Sequence, residues 1–254
     1  MCAVVGKGIK KVFGSGKEVI QTIALSGINI ELEQGEFTAI MGPSGSGKSS
    51  LLNILSGFDK PTSGEVRICN VAFSGMDGDE LALFRRQHIG YIFQEFNLLD
   101  SLTIKENIML PMILNRDKLA VMNDKADKLM ERLGIEHLWN KYPYQVSGGQ
   151  QQRTAVARAL INDTSVIFAD EPTGNLDSKS TRSVLESLKA VNAYYGTTVL
   201  LVTHDPFAAS YSDRVLFLKD GKLRTQLDKK ASQEAFAKEI LDHLAVLEDD
   251  EYDV

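Results

Sequence analysis

The chain has little cysteine, no long apolar run and no excess of positive charge, and each shortage excludes a class of protein. Two cysteines, Cys2 and Cys69, cannot form a disulfide framework, and they lack the spacing of a metal site. This usage is typical of a reducing compartment. No apolar stretch approaches the ~18 residues that a membrane-spanning helix requires. A net charge of −6 argues against nucleic acid as a partner.

The rest of the composition is that of a globular protein, with 43% hydrophobic and 24% charged residues. Strand-like and helical patterns alternate, which predicts an α/β fold with a largely parallel sheet. Strands are predicted at 37–41, 65–69, 89–93, 165–169, 197–202 and 215–219, and helices at 48–56, 104–113, 123–133, 148–161, 179–193, 207–211 and 233–247. We expect an α/β core at 1–93 and 164–230, an inserted helical subdomain at 94–163, and a C-terminal helix with an acidic tail at 231–254.

The most informative segment is 42–49, which reads Gly-Pro-Ser-Gly-Ser-Gly-Lys-Ser and fits the phosphate-loop pattern. An apolar strand pattern precedes it and a helical pattern follows, which favours a nucleotide site over an ordinary glycine turn. Glycines let backbone N–H groups surround phosphate oxygens, Lys48 can reach the β- and γ-phosphates, and Ser49 can bind Mg²⁺. The candidate ATP-binding residues here are Gly42, Ser44, Gly45, Ser46, Gly47, Lys48, Ser49 and Ser50.

A second chemical signal is the apolar run 166–169, which ends in two carboxylates, Asp170 and Glu171. In a phosphate-loop protein, an Asp at this place orders the Mg²⁺ shell. The next acid, Glu171, is placed to polarise an attacking water as a general base. A solvated acidic turn at a strand end is the alternative, and the phosphate loop upstream favours the catalytic interpretation.

The third signal opens the predicted helix at 148–161. Ser147 can cap this helix, and Gly148 and Gly149 let a phosphate approach its N-terminus, with Gln150 following. A capped helix with a flexible start is the plainer interpretation. Together with the other two motifs, however, the Ser-Gly-Gly-Gln string resembles the signature of the nucleotide-binding subunits of ATP-binding cassette (ABC) transporters.

This resemblance covers about residues 8 to 227 and implies roles for four further positions. Gln94 matches the glutamine that touches Mg²⁺ and the attacking water, and His204 matches the histidine that contacts the γ-phosphate. Asp177 belongs to a segment that crosses to a second subunit. Phe13 stands where the family has an aromatic, usually Tyr, that stacks on adenine; a core aromatic is the alternative. The resemblance also implies a phosphate-loop NTPase core with a mostly parallel sheet and an antiparallel N-terminal part.

The family's mode of action then gives the expected function. It implies an ATPase that uses ATP and Mg²⁺ and dimerises head to tail, so that each ATP lies between Lys48 of one copy and Ser147 of the other. It implies a membrane permease docked near Gln94–Leu99, which would hold the protein at the cytoplasmic face of the membrane. The acidic balance and single cassette argue against the soluble relatives that act on DNA or ribosomes.

Longer segments narrow the branch. Residues 171–178 resemble the branch of macrolide exporters, lipoprotein-release ATPases and FtsE-type cell-division ATPases. Residues 88–103 and 202–211 resemble the bacitracin-resistance (Bce-type) ATPases. The Bce-type resemblance implies resistance to, and sensing of, peptide antibiotics with an FtsX-like ten-helix permease. It also implies a membrane histidine kinase as a partner, so that a signalling module remains open as a function of another class.

Overall fold

The computed structural model describes residues 2–14 and 21–249, which form two compact units. The first unit consists of Met1–Gly75 and Thr198–Val254, and the second of Met76–Thr197. The predicted acidic tail began at Glu248, but Glu248 and Asp249 belong to the C-terminal helix, and the rest of the tail lies outside the described residues. Among the described helices, none is both long and apolar enough to cross a bilayer.

One sheet of the first unit is antiparallel, as expected for the N-terminal part. Its four strands have the order β2-β1-β4-β5, where β1 is Cys2–Phe13, β2 Thr22–Glu33, β4 Ser63–Ile68 and β5 Val71–Ala72. In β2 the buried side chains Ile28, Ile30 and Leu32 recur every second residue. This alternation buries one face of the strand and leaves the other polar.

The other strands of the first unit have the order β10-β9-β3-β8 and are mostly parallel. They are β3 (Phe37–Met41), β8 (Thr198–Val202), β9 (Arg214–Lys219) and β10 (Lys222–Asp228). Strand β3 pairs in parallel with β8 and β9, while β10 is antiparallel to β9. Every residue of β3 and β8 is buried, as is usual for strands covered on both faces. The described part of this unit also contains three helices: α1 (Lys48–Leu55), α7 (Pro206–Ala209) and α8 (Gln233–Asp249).

The second unit is mainly helical and contains two parallel strands, β6 (Ile89–Ile92) and β7 (Val166–Asp170). Its helices are α2 (Gly78–His88), α3 (Ile104–Leu114), α4 (Leu119–Arg132), α5 (Gly148–Leu160) and α6 (Ser178–Tyr195), with short 3₁₀ turns at Glu136–Leu138 and Pro143–Gln145. A Cβ added at Gly90 would lie 2.5 Å from the carbonyl oxygen of Ala159. Only glycine therefore allows β6 and α5 to pack this closely.

The predicted strands and helices are present, most with ends shifted by one to three residues. The prediction missed α2, although Asp77 and Glu80 form a capping box at its start. The Asp77 side chain accepts hydrogen bonds from the N–H groups of Asp79 and Glu80, and Glu80 accepts one from the N–H of Asp77. The sequence carried this signal as an acid three residues before a glutamate. The predicted strand ranges also did not include β1, β2, β5 or β10.

Asn107 holds the segment before α3 in place from inside the protein. Its side chain is fully buried. The Nδ2 group donates to the carbonyls of Leu99, Leu102 and Thr103 at 3.0–3.1 Å, and Oδ1 accepts from the N–H of Leu99 at 2.8 Å. One buried amide thus satisfies several backbone groups that water cannot reach.

We expect Asn107→Leu to lower the free energy of unfolding by about 2–4 kcal/mol, because it keeps the volume and leaves buried backbone groups unpaired. Urea denaturation measures the change. Asn123→Leu is the matched control, since the half-buried Asn123 donates only to the carbonyl of Leu119 among its described contacts, and should cost under about 1 kcal/mol. Equal losses in the two variants would contradict this role for Asn107.

Candidate functional site

In the first unit, two predicted motifs follow neighbouring parallel strands. The 42–49 loop follows β3, and His204 follows β8. The N–H of Thr203 donates to the carbonyl of Ile40 at 3.2 Å, which ties the two strand ends together. The carboxyl ends of parallel strands share one edge of a sheet, so the loop and His204 lie at the same edge.

The loop is shaped by close backbone approaches that exclude side chains. Gly47 caps α1 with φ +103°, a conformation that other residues rarely adopt. A Cβ at Gly47 would lie 2.5 Å from the carbonyl oxygen of Ala24, and one at Gly42 would lie 2.0 Å from that of Leu218. Gly47 also has no side chain to cap the helix, so the first N–H groups of α1 suit phosphate oxygens.

Two side chains inside the loop fit a phosphate ligand. Lys48 is only 8% exposed, and its Nζ donates to the carbonyls of Gly42 at 2.8 Å and Pro43 at 2.9 Å. Its charge therefore lies over the loop. The buried hydroxyl of Ser46 has no hydrogen-bond partner among the described residues. An orphaned buried hydroxyl is costly, and a bound oxyanion would satisfy it. Ser44, Gly45 and Ser49 are exposed and Ser50 is half-buried.

Phe13 lies at the end of β1 and is 44% exposed, so it is not the core aromatic that was the alternative. It pairs with Thr22, two residues from the Ala24 carbonyl that Gly47 approaches. The Nζ of Lys11 lies 4.9 Å from the centre of its ring. An exposed ring beside the phosphate loop can stack on a base.

In the second unit, Gln94 follows β6, while Asp170 ends the parallel neighbour β7 and Glu171 comes directly after it. A Cβ added at Gly174 would lie 2.9 Å from Nε2 of Gln94, so this side chain lies against the turn after β7. The Asn175 side chain donates to the carbonyl of Gln94 at 3.4 Å. The structure therefore brings Gln94 together with the turn that begins at Glu171.

Glu171 has a backbone φ of +44°, which is unusual for a non-glycine residue. The N–H of Gly174 donates to its carbonyl at 3.0 Å and closes the turn. Such strain is concentrated at functional sites.

Burial, together with the negative charge of Asp170, raises the pKa of Tyr91 above its usual range. Tyr91 therefore resists ionisation even more than an ordinary tyrosine.

Ser147 is exposed and caps α5 as predicted. Its Oγ accepts from the N–H of Gln150 at 3.4 Å, and its own N–H donates to the Gln150 side chain at 2.9 Å. The cap uses the serine oxygen as an acceptor, so its hydroxyl hydrogen remains available to a phosphate. Beside this helix start, Cβ atoms at Gly148 and Gly149 would lie 3.1 Å from Leu176 and 2.9 Å from Ser180.

Asp177 caps α6. Its Oδ1 accepts from the N–H groups of Lys179 and Ser180, both at 3.0 Å, and its Oδ2 accepts from the hydroxyl of Ser180 at 2.7 Å. Hydrogen bonds from Ser180 lower the pKa of Asp177 below its usual value. Its local role is thus to begin α6, whose first turn packs on Gly149.

Sequence reasoning missed three side chains that contact the loop after β6. Gln152, Arg158 and Asn175 all donate to backbone carbonyls of this loop. Gln152 and Arg158 are on α5, and Asn175 follows β7. Gln152 and Asn175 lie in or beside segments that the sequence analysis considered, but without a role of their own, and Arg158 is a single charge in an apolar stretch of α5.

Comparison with known proteins identifies the family. The profile described as "ABC transporter" matches residues 25–174, more than half of the chain. The ABC transporter ATP-binding protein YxdL of Bacillus subtilis is 48% identical over 239 residues, covering 94% of this chain and 93% of that protein. The bacitracin export ATP-binding protein BceA of Halalkalibacterium halodurans is 47% identical over 233 residues, covering 91% and 92%.

Solved structures agree. The dimeric post-hydrolysis structure of the ATP-binding cassette MJ0796 of Methanocaldococcus jannaschii, bound to ADP and Pi, matches with a TM-score of 0.80 and 42% identity. The match covers 90% of this chain and 100% of that one. It confirms the predicted α/β fold. Motifs, fold and relatives lead to one conclusion: the chain belongs to the ATP-binding subunits of the ABC transporter family.

Proposed function

We propose that the chain hydrolyses ATP as a head-to-tail dimer and powers a membrane permease that confers resistance to peptide antibiotics of the bacitracin kind. The main observation in support of ATP binding is the geometry of the phosphate loop. Its glycines exclude side chains, Lys48 lies over it, and the buried Ser46 hydroxyl is unpaired among the described residues. This arrangement suits the phosphates of a nucleotide.

The triphosphate would be held by the loop backbone and Lys48, with His204 at the same sheet edge to contact the γ-phosphate. Phe13 would stack on the adenine. Mg²⁺ would be held by Ser49, Gln94 and Asp170, whose oxygen atoms suit a hard cation. When bound, Mg²⁺ neutralises part of the phosphate charge.

Glu171 is the proposed general base. It would accept a proton from the water that attacks the γ-phosphorus, while the bond to the β,γ-bridging oxygen breaks and ADP leaves. Gln94 lies against the turn that begins at Glu171, so both can orient one water. Lys48 would stabilise the charge that develops on the phosphoryl oxygens.

A second copy of the chain would complete each nucleotide site. The support is the dimeric form of the MJ0796 cassette and the exposed position of Ser147 at a helix start. Each ATP would lie between the phosphate loop of one copy and the Ser147–Gln150 segment of the other. Hydrolysis removes the charge that joins the copies, so the dimer would open and close with each cycle.

The likeness to a bacitracin export ATPase supports the transported class. We infer an FtsX-like ten-helix permease that holds the subunit at the cytoplasmic face of the membrane, and a membrane histidine kinase that receives the signal of antibiotic load. The loop after β6 offers the docking surface. Phe96 and Leu98 are half-buried in it, whereas Leu99 is 46% exposed and available to a partner.

Glu171→Gln should reduce ATP turnover at least ~10²-fold, because it keeps the shape but removes the base. Nucleotide affinity should stay normal, and ATP should trap a dimer detectable by size-exclusion chromatography. Lys48→Ala is the contrasting variant and should weaken nucleotide binding itself. Near-normal turnover by Glu171→Gln would show that another group activates the water.

Mixing Lys48→Ala and Ser147→Arg chains tests the shared site. Each parent alone should be inactive, because both of its sites carry the defect. A mixed dimer has one site with both defects and one with neither, so partial ATPase activity should return. Ser147→Arg chains should still bind ATP, since their own phosphate loop is intact. Loss of ATP binding in these chains would contradict the two-copy site.

Leu99→Asp should abolish co-purification with the permease while ATP binding remains, because it places a charge on the proposed docking surface. Val71→Asp is the matched control, with 41% exposure at β5 in the first unit. It should leave association unchanged. A pull-down from membranes compares the two variants at equal protein levels, and equal association of both would exclude Leu99 from the interface.

A further inference from the structure

The loop after β6 contains two consecutive strained residues. Phe96 has φ +60° and Asn97 φ +48°. The N–H of Asn97 donates to the carbonyl of Glu95, which closes a three-residue turn around Phe96. A positive-φ turn of this kind is rare, above all with a bulky aromatic at its centre. The surroundings must therefore hold it.

A second consecutive pair of positive-φ residues has an ordinary explanation. Cys69 and Asn70 form the two-residue connection between β4 and β5. Tight hairpins of this length favour positive φ at both central positions. The Phe96–Asn97 turn joins no hairpin, so its conformation needs another cause.

The cause is a set of side-chain donors from outside the loop. Arg158 donates through Nη2 to the carbonyl of Phe96 at 2.8 Å and through Nη1 to that of Asn97. On the N-terminal side of Gln94, Gln152 donates to the carbonyl of Phe93 at 3.3 Å. Asn175 donates to the carbonyl of Gln94 at 3.4 Å. Four loop carbonyls thus accept bonds from three side chains.

Arg158 is suited to this contact by its shape. A planar guanidinium presents several N–H donors in a fixed fork and can reach two successive carbonyls, which a lysine ammonium holds less rigidly. Burial lowers the pKa of Arg158 to about 10, so the group is still charged at neutral pH. Charged donors make stronger hydrogen bonds than neutral ones.

The held loop determines where Gln94 lies. The loop backbone accepts hydrogen bonds at Phe93, before Gln94, and at Phe96, after it. The side chain of Gln94 packs against Gly174 in the turn that begins at Glu171. Phe96 adds a packing contact, since its Cζ would lie 3.6 Å from a Cβ at Gly148. A change of the Phe96–Asn97 turn would therefore shift Gln94 relative to Glu171.

We propose that Arg158 is a positioning residue for hydrolysis, which holds the Phe96–Asn97 turn in its strained conformation and so fixes Gln94 against the Glu171 turn. This inference rests on the proposed ATPase function. In this role, Arg158 contacts neither the nucleotide nor the attacking water. Because Ser147 caps α5, the same helix carries the proposed nucleotide contact at its start and Arg158 near its end.

The test measures kcat, KM for ATP and the melting temperature in Arg158→Gln and Arg158→Lys. Misplacement of a positioned group lowers the rate by up to about 100-fold, so kcat should fall about 10- to 100-fold while KM for ATP stays within about threefold. Lysine should lose less than glutamine. Arg132→Gln is the control, since Arg132 stacks on Tyr194 in the same unit, and its kcat should be unchanged.

Rescue separates positioning from mere stability. Asn97→Gly removes the strain at one position, so Arg158→Gln with Asn97→Gly should recover several-fold in kcat. If Arg158→Gln does not fold, the variants at Asn97 test the inference by themselves, because the exposed side chain of Asn97 can be replaced without disturbing the core. Asn97→Val resists positive φ and should lower kcat about tenfold, whereas Asn97→Gly should not.

Normal kcat in Arg158→Gln or in Asn97→Val would overturn the inference. So would a loss of activity that only follows the loss of folded protein and is not recovered by glycine. An unsubstituted chain that hydrolyses no ATP, measured with its dimer and permease present, would contradict the proposed function and this inference with it. If the unsubstituted chain hydrolyses ATP and the variants are unaffected, only the inference about Arg158 is contradicted.

Discussion

The candidate catalytic residues Lys48, His204, Gln94 and Glu171 all follow the carboxyl ends of buried parallel strands, and the rest of the site depends on this constraint. In the first unit, β3 leads to the phosphate loop and β8 to His204. In the second, β6 leads to Gln94 and β7 to Glu171. The strands are apolar and nearly inaccessible to water, so they fix the start of each loop. Within each unit, chemistry can then be placed on the short segments that follow its pair of parallel strands.

Sequence patterns predicted the parts of the site that need a special backbone. The phosphate loop, the acid pair and the Ser147 segment are marked by glycines and charges at fixed spacing. The structure shows why the spacing matters, since Cβ atoms at Gly42, Gly47 and Gly149 would meet neighbouring atoms at 2.0–2.9 Å. Parallel strands were also predictable, because they are continuous apolar runs.

The remaining features depend on contacts between segments far apart in sequence. Gln152 and Arg158 contact a loop about sixty positions earlier in the chain, and their residue types fit any polar helix face. Helix α2 was missed for a different reason, since its capping box was readable and its weak apolar stripe was not. Residue preferences along the sequence thus predict the motifs, but they do not predict which distant side chains hold the motif loops in place.

Helix α5 combines a local and a long-range role in one element. Ser147 and Gln150 cap its start through reciprocal hydrogen bonds, while the Ser147 hydroxyl hydrogen remains available to a ligand. Further along, Gln152 and Arg158 hold the carbonyls beside Gln94. One helix therefore supports the proposed phosphate contact at its start and the backbone of the loop that contains Gln94 further along. The strained turn at Phe96 and Asn97 is held by contacts from outside its own segment, as expected for backbone strain at a functional site.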